Sequence, residues 1–160
     1  MTNRVSTVFI TRHNLLQEGQ INMMKTVNLH DVIRGESAPP ACDTTMGVKL
    51  IEAKDGFAKG VWTIDEKFIN GNGVIMGGFV AGAADIMMSY AITSLLTEEQ
   101  AFASINLQTT FHRPTFPGDV DIEVNVDKFG RTVSYLTAEL KQHGKLVGSA
   151  VSSVMITPKP

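Results

Sequence analysis

Along this chain the apolar spacing switches between helical and alternating patterns, and one stretch fits neither. Residues 77–96, GGFVAGAADIMMSYAITSLL, are helix-compatible and apolar on nearly every face, with a single carboxylate, Asp85, in the middle. A helix apolar all round belongs inside a protein or a membrane. The length would serve for a span, but Asp85, the small residues Gly82 and Ser89 and the absence of flanking basic clusters point to a buried helix in a soluble domain. On that helix Asp85 shares a stripe with Gly78, Ala81, Gly82, Met88, Ser89 and Ile92, so the carboxylate overhangs small residues with room beside it. An acid so placed must be hydrated, paired with Ser89 or a backbone group, or put to chemical use.

The surrounding pattern is simpler. Residues 27–35 read as a short helix with Asn28 as cap, Leu29, Val32 and Ile33 on one side and Gly35 closing it; Pro39-Pro40 then ends any helix. Strands are expected over residues 46–53 and 58–63, divided by Lys54-Asp55-Gly56, whose Asp-Gly pair is a hairpin signal. After the apolar helix, residues 98–100 form a polar link, and strands follow over 102–113, 119–127, 132–142 and 146–157. Every connection between them is short enough to join antiparallel neighbours. In the first, Ala103, Ile105, Leu107 and Phe111 alternate with Ser104, Asn106, Gln108, Thr110 and His112. Two strands before a long apolar helix and four after it bury that helix only if the sheet curls around it. The prediction is an α+β fold, a long central helix wrapped by a curved antiparallel sheet of about six strands.

Composition narrows this to one domain over residues 23–160, since the chain has 160 residues with 43% hydrophobic content. Residues 1–22 carry no apolar core of signal-peptide length and no periodic pattern, and are read as a flexible arm; Met23 and Met24 are candidate native starts. The formal net charge is −2 and no Lys/Arg cluster occurs, so nucleic acid and anionic membrane are poor partners. Cys42 is the only cysteine, which excludes an internal disulfide or a Cys-based zinc cluster and fits a cytoplasmic location. With no basic neighbour in sequence it reads as an inert, half-buried thiol. No metal-ligand spacing appears, and no cofactor is called for.

Candidate chemistry gathers at the start of the central helix. Asn70-Gly71-Asn72-Gly73 is turn chemistry, and Val74-Ile75-Met76 leads into Gly77-Gly78, where backbone N–H groups lie open. Such groups, with the positive end of the helix dipole, hold an anion or a carbonyl oxygen becoming one. A partly buried carboxylate on the same helix, with an Asn upstream, is a constellation for base-assisted acyl transfer.

Asn70, the Gly77-Gly78 turn, Asp85, the stretch Phe111-His112-Arg113-Pro114 followed by Gly118-Asp119, and Gly130-Arg131 stand in an order and at spacings that resemble the hotdog-fold acyl-CoA thioesterases, specifically the phenylacetyl-CoA thioesterase-like family. The likeness covers roughly residues 29–156. It implies hydrolysis of an acyl-CoA thioester at a subunit interface of a homodimer or homotetramer. Asp85 falls on the general base or nucleophile, and the Gly77 N–H on the group that polarises the thioester carbonyl. Asn70 falls on the residue ordering water and carbonyl, and Ser104 on a hydroxyl supplied from the facing subunit in some members. Arg131 matches a position that contacts CoA phosphates, with Arg113 a second candidate, and Met76, Gly78 and Met88 fall beside the substrate. Met76 stands where many members have His; Met donates no hydrogen bond, and losing one such donor costs about 2.7–4 kcal/mol of transition-state stabilisation. A hotdog protein that binds acyl-CoA without turnover is therefore a competing reading. A hydratase or dehydratase is the third, least supported because no His lies near Asp85 in sequence. Met76, Met87 and Met88 fit either apolar core or a pliable wall for an acyl chain.

Overall fold

A computed structural model describes residues 26–159; the arm expected over residues 1–22 and the two candidate starts lie outside them. Helix α1 spans Leu29–Ile33, with the Asn28 side chain accepting from His30 N, and Leu29, Val32 and Ile33 pack against the core as their spacing predicts. A second short helix, α2 (Ala41–Met46), follows directly after Pro40, where the sequence reading had none. Proline fixes the entry φ and Gly47, at φ 79°, closes the helix, so Pro40 begins an element where the reading saw only an end.

Strands β1 (Val48–Lys54) and β2 (Phe57–Ile64) form the expected hairpin, with Asp55 and Gly56 at φ 51° and 83°, the left-handed pair a two-residue turn requires. A 3-10 turn, Glu66–Phe68, leads to the central helix α3, Gly77–Thr93. Four strands complete the chain: β3 (Gln100–Phe111), β4 (Gly118–Lys128), β5 (Val133–Gln142) and β6 (Lys145–Pro158). All pairings are antiparallel, in the order β1-β2-β4-β5-β6-β3. The α+β architecture and the six strands agree with the sequence reading.

One expectation fails. The link between β3 and β4 is short, yet the two strands are not neighbours, because β3 pairs with β6 at the sheet edge. Reaching β4 from there crosses three inter-strand steps, about 14 Å. Residues 112–117, held extended by two prolines, span up to about 20 Å. A short loop therefore serves a crossover as well as a hairpin.

The sheet wraps α3, whose residues Val80, Ala83, Ala84, Met87, Met88, Tyr90, Ala91, Ile92 and Thr93 are buried. Facing them are Trp62, Ile122, Val124, Leu136, Leu140 and Val154, each essentially without exposure. The Trp62 indole N–H donates to Met46 O at 2.8 Å, so the largest core side chain leaves no polar atom unpaired. At the other end of the helix the Gly56 N–H donates to Ser94 Oγ at 2.9 Å, pinning the β1–β2 turn to the end of α3.

Gly60 on β2 lets this packing close. A Cβ there would stand 2.6 Å from Met87 Sδ and 2.7 Å from Lys49 O. The thioether can yield, but the backbone carbonyl of the neighbouring strand cannot. Gly60→Ala is expected to destabilise the fold by about 1–3 kcal/mol, read as a lowered midpoint in chemical denaturation; an unchanged midpoint would show that β1 moves freely.

Candidate functional site

Two groups of predicted residues occupy different places along α3. The first lies at its N-terminus. Met76 takes the capping position with no side-chain cap bond and is 46% exposed, its N–H donating to Phe68 O at 3.0 Å. The N–H groups of Gly77 and Gly78 find no acceptor among the described residues, while the next, that of Phe79, donates to Met76 O. The helix start therefore presents two free donors at the positive end of its dipole. A Cβ at 77 would meet Phe111 Cζ at 2.6 Å, so any larger residue there has to displace that ring.

Asn70 approaches the same end through its turn. Its Oδ1 accepts from Asn72 N at 2.8 Å, its backbone N–H donates to Val74 O at 2.8 Å and its carbonyl accepts from Gly73 N at 3.0 Å. That leaves the side-chain NH2 as a donor. A cavity of about 390 Å³ opens beside the helix start, lined among others by Gly77, Val80, Phe111, His112 and Arg113. Arg113 is anchored there by Nη1 donating to Leu146 O at 2.6 Å, and His112 Nε2 lies 2.8 Å from Ser149 Oγ. Phe111 and His112 carried part of the family resemblance, but sequence reasoning did not place them at the site.

The second group surrounds Asp85, two turns along. Asp85 is open to solvent on one side of the single chain. Desolvation by the surrounding atoms pushes its carboxyl above the usual carboxylate range, and a hydrogen bond with Ser104 pulls it partly back. Ser89 is not its partner, since Ser89 Oγ donates to Ile86 O at 2.6 Å. Of the stripe around Asp85, Met88 is 2% exposed and packs in the core.

Ser104 reaches Asp85 because β3 does not alternate as its sequence suggests. Ser104 pairs with Val154 and Asn106 with Ser153, so Ile105 is an extra residue in a β-bulge. Before the bulge Phe102 and Ser104 face inward; after it Leu107, Thr109 and Phe111 do, opposite the buried Ser152, Ala150 and Gly148 of β6. The reading that put Ser104 on the face opposite Leu107 and Phe111 is corrected by this one residue.

The two groups do not meet within one chain. Eight residues of helix separate Gly77 from Asp85, about 12 Å along the axis. The arginines are further apart. Arg113 follows the Phe111 end of β3, while Arg131 lines a hollow with Glu99 and Gln100 at the opposite end. Gly130, before it, packs so tightly that a Cβ would stand 2.2 Å from Val133 O.

One further buried acid escaped sequence reasoning. Asp43 is 3% exposed and accepts hydrogen bonds from Tyr90 OH and from Cys42 Sγ, the latter at 3.2 Å. Burial pushes both the tyrosine and the thiol pKa upward, with the carboxylate adding to each. Cys42 is exposed rather than the half-buried thiol expected, and its raised pKa disfavours the reactive thiolate. Among the described residues no helix is long and apolar enough to cross a membrane.

Comparison with known proteins places this geometry. The thioesterase superfamily profile matches residues 72–148, a stretch that holds Gly77, Asp85, Ser104, Arg113 and Arg131. A Pseudomonas aeruginosa protein provisionally named an esterase is 31% identical over 88 residues, covering 54% of this chain and 66% of that protein, just under two thirds of its length. Among solved structures, a Ralstonia eutropha protein, provisionally titled a thioesterase related to phenylacetic acid degradation, superposes with a TM-score of 0.75 at 28% identity, covering 79% of this chain and 98% of that one. A protein from the phenylacetic acid degradation operon of E. coli superposes at 0.70, with 23% identity over 80% and 89% of the two chains, a likeness of fold. The chain has the hotdog fold, and the profile match with these neighbours supports a thioesterase family for it.

Proposed function

We propose that the protein hydrolyses an acyl-CoA thioester to the free acid and CoA, at a site built between two copies of the chain in the cytoplasm. The observation that supports this most is the pairing of Asp85 with Ser104 about 12 Å from the free N–H groups of Gly77 and Gly78. Neither half suffices alone, because a carbonyl held at the helix start lies beyond reach of the carboxylate in the same chain. β3 is an edge strand of twelve residues. Pairing it antiparallel with β3 of a second copy, about a two-fold axis near mid-strand, brings the Phe111 and Gly77 end of one chain beside Ser104 and Asp85 of the other. The same reversal sets Arg131 of one chain near Arg113 of the other, two cations flanking one site.

In this site the Gly77 N–H donates to the thioester carbonyl oxygen and the Asn70 amide orders the water. Asp85 takes a proton from that water as it adds to the carbonyl carbon, the C–O bond forming while charge moves onto the oxygen held by the helix start. When the carbonyl reforms, the C–S bond breaks and CoA leaves as the thiol with the proton held by Asp85. Direct attack by the carboxylate, with water opening the resulting anhydride, uses the same atoms. Ser104 holds the carboxylate in place. A raised Asp85 pKa suits a base, since it strengthens proton affinity.

Release of free CoA from a panel of acyl-CoAs tests the reading. Met76 favours the second one, an acyl-CoA-binding protein, because the residue before the glycines offers no donor. Binding of CoA esters without CoA release would establish that reading. Arg131 is proposed to hold CoA phosphates through charge. Arg131→Ala should then raise KM with kcat nearly unchanged, by a factor that shrinks as salt is added; an unchanged KM places the phosphates elsewhere.

A further inference from the structure

A second cavity, of about 200 Å³, lies at the C-terminal end of α3, between α1, the last turn of α3 and the first residues of β3. Val27, Leu29, Leu96 and Phe102 give it apolar walls. Thr93, Gln100 and Lys159 line it as well, and they stand together because Gln100 pairs with Pro158 across β3 and β6, while the Lys159 N–H donates to Glu99 O at 2.7 Å. Thr93 is 4% exposed. Its hydroxyl has no partner among the described residues, yet it is not sealed in as the orphan Thr109 hydroxyl is, so the cavity is the space it opens to. Gln100 Oε1 accepts from Thr97 N at 3.0 Å, which leaves the side-chain NH2 to donate. The Lys159 ammonium forms no ion pair with a described residue. No acidic side chain is among the described residues that line the cavity, and Glu98, close by in sequence, is held by Arg34 Nη1 at 2.9 Å and Asn28 Nδ2 at 3.1 Å. Three donors therefore border one space with no acceptor from the described chain, and an unmet buried donor is costly.

We infer that this cavity is a binding site for a small monocarboxylate, its oxygens accepting from Thr93, Gln100 and Lys159 and its hydrocarbon body lying against Leu29, Leu96 and Phe102. Charge and size both select that class. One ammonium matches one negative charge, whereas a phosphate monoester brings nearly two and more acceptor oxygens than these donors serve. A volume of about 200 Å³ holds about seven groups of water size, so a nucleotide or a long chain does not fit. The negative end of the α3 dipole presents no free carbonyl to repel the anion. Those of Tyr90, Ile92 and Thr93 accept the N–H groups of Ser94, Leu95 and Leu96, and Ala91 O accepts from Ser94 Oγ at 2.7 Å. The free acid released in the proposed reaction has this chemistry. The site does not rest on that reaction, because neither Gly77 nor Asp85 takes part in it.

Butyrate, with butyramide as its uncharged counterpart, tests the site through the amide chemical shifts of the full chain. Butyrate is expected to shift Thr93, Leu96, Gln100 and Phe102 saturably, and butyramide to bind at least about tenfold more weakly, the weight of one charge-assisted hydrogen bond. Lys159→Ala changes an exposed side chain and should lower butyrate affinity about tenfold while leaving butyramide as it was. Thr93→Val removes only the hydroxyl and should weaken both probes, since that group donates to either kind of oxygen. Equal affinity for the two probes, or butyrate binding that both variants leave unchanged, overturns the proposal. So does a chain that shows no shift at these four residues with butyrate in the tens of millimolar. Shifts confined to Gly77 and Gly78 overturn it too, since they place the carboxylate at the start of α3 instead.

Discussion

Asp85→Asn is expected to lower thioester hydrolysis by about 10²-fold or more while CoA-ester binding and folding persist. Asn keeps the shape of the side chain and much of its hydrogen bonding to Ser104 but neither accepts the proton of an attacking water nor adds to a carbonyl. The pH profile gives an independent reading. Activity that needs the ionised carboxylate should rise with pH through the Asp85 pKa, at a position above the ordinary carboxylate range because desolvation holds it there. That limb should vanish in the variant. Stability moves the other way. A carboxyl whose pKa is higher folded than unfolded contributes stability that is fully present below the unfolded value and is lost as pH rises through the folded one. Above the folded pKa the ionised Asp85 is therefore a cost to the fold, and there Asp85→Asn should melt at the wild-type temperature or above it. Equal hydrolysis by the variant and wild type would sink the mechanism. A lower melting temperature above that pKa would mean that the charge is stabilised by a partner.

How far the sequence carries depends on which pattern each element leaves in it. Helix α3 was legible because no surface helix is apolar all round, and the β1–β2 turn because Asp-Gly fits the left-handed pair at 55 and 56. Asp85 was legible as a lone acid in that helix. Helix α2 left little pattern: it is short, and its burial rests mainly on Asp43, a residue that propensity assigns to turns. The bulge at Ile105 left none. Ala103, Ile105 and Leu107 alternate in sequence as an unbroken strand would, and only pairing with β6 shows that one residue is extra. That single insertion decides which face carries Ser104. Strand order was likewise beyond the sequence, since a link of six residues can join neighbours or cross two strands. Residues brought together by long-range pairing, such as Tyr90 with Asp43 or Phe111 with Gly77, leave no local period to detect.

Division of the site between two chains predicts rescue between two inactive variants. Asp85→Asn lacks the acid but keeps the helix start. The double variant Asn70→Ala/Gly77→Ala keeps Asp85 and Ser104 but damages the helix start twice over. It removes the Asn70 amide, and it sets a Cβ 2.6 Å from Phe111 Cζ, forcing that ring, 56% exposed and free to swing, across the open N–H groups. Loss of one such donor alone lowers turnover by about 10²–10³. Unfolded together in equal amounts and refolded, the two variants assemble at random. Each site draws its acid from one chain and its helix start from another, so half of the acids and half of the helix starts are sound. About a quarter of the sites then combine two sound halves, and about a quarter of wild-type activity should return from parents that each show about a hundredth or less. If both halves acted within one chain, every chain in the mixture would carry one defect and refolding together would restore nothing. Recovery near a quarter, whether the protein is a dimer or a tetramer, follows from the proposed division of the site: residues 77 and 85 stand about 12 Å apart along the helix axis, and a second chain closes that distance.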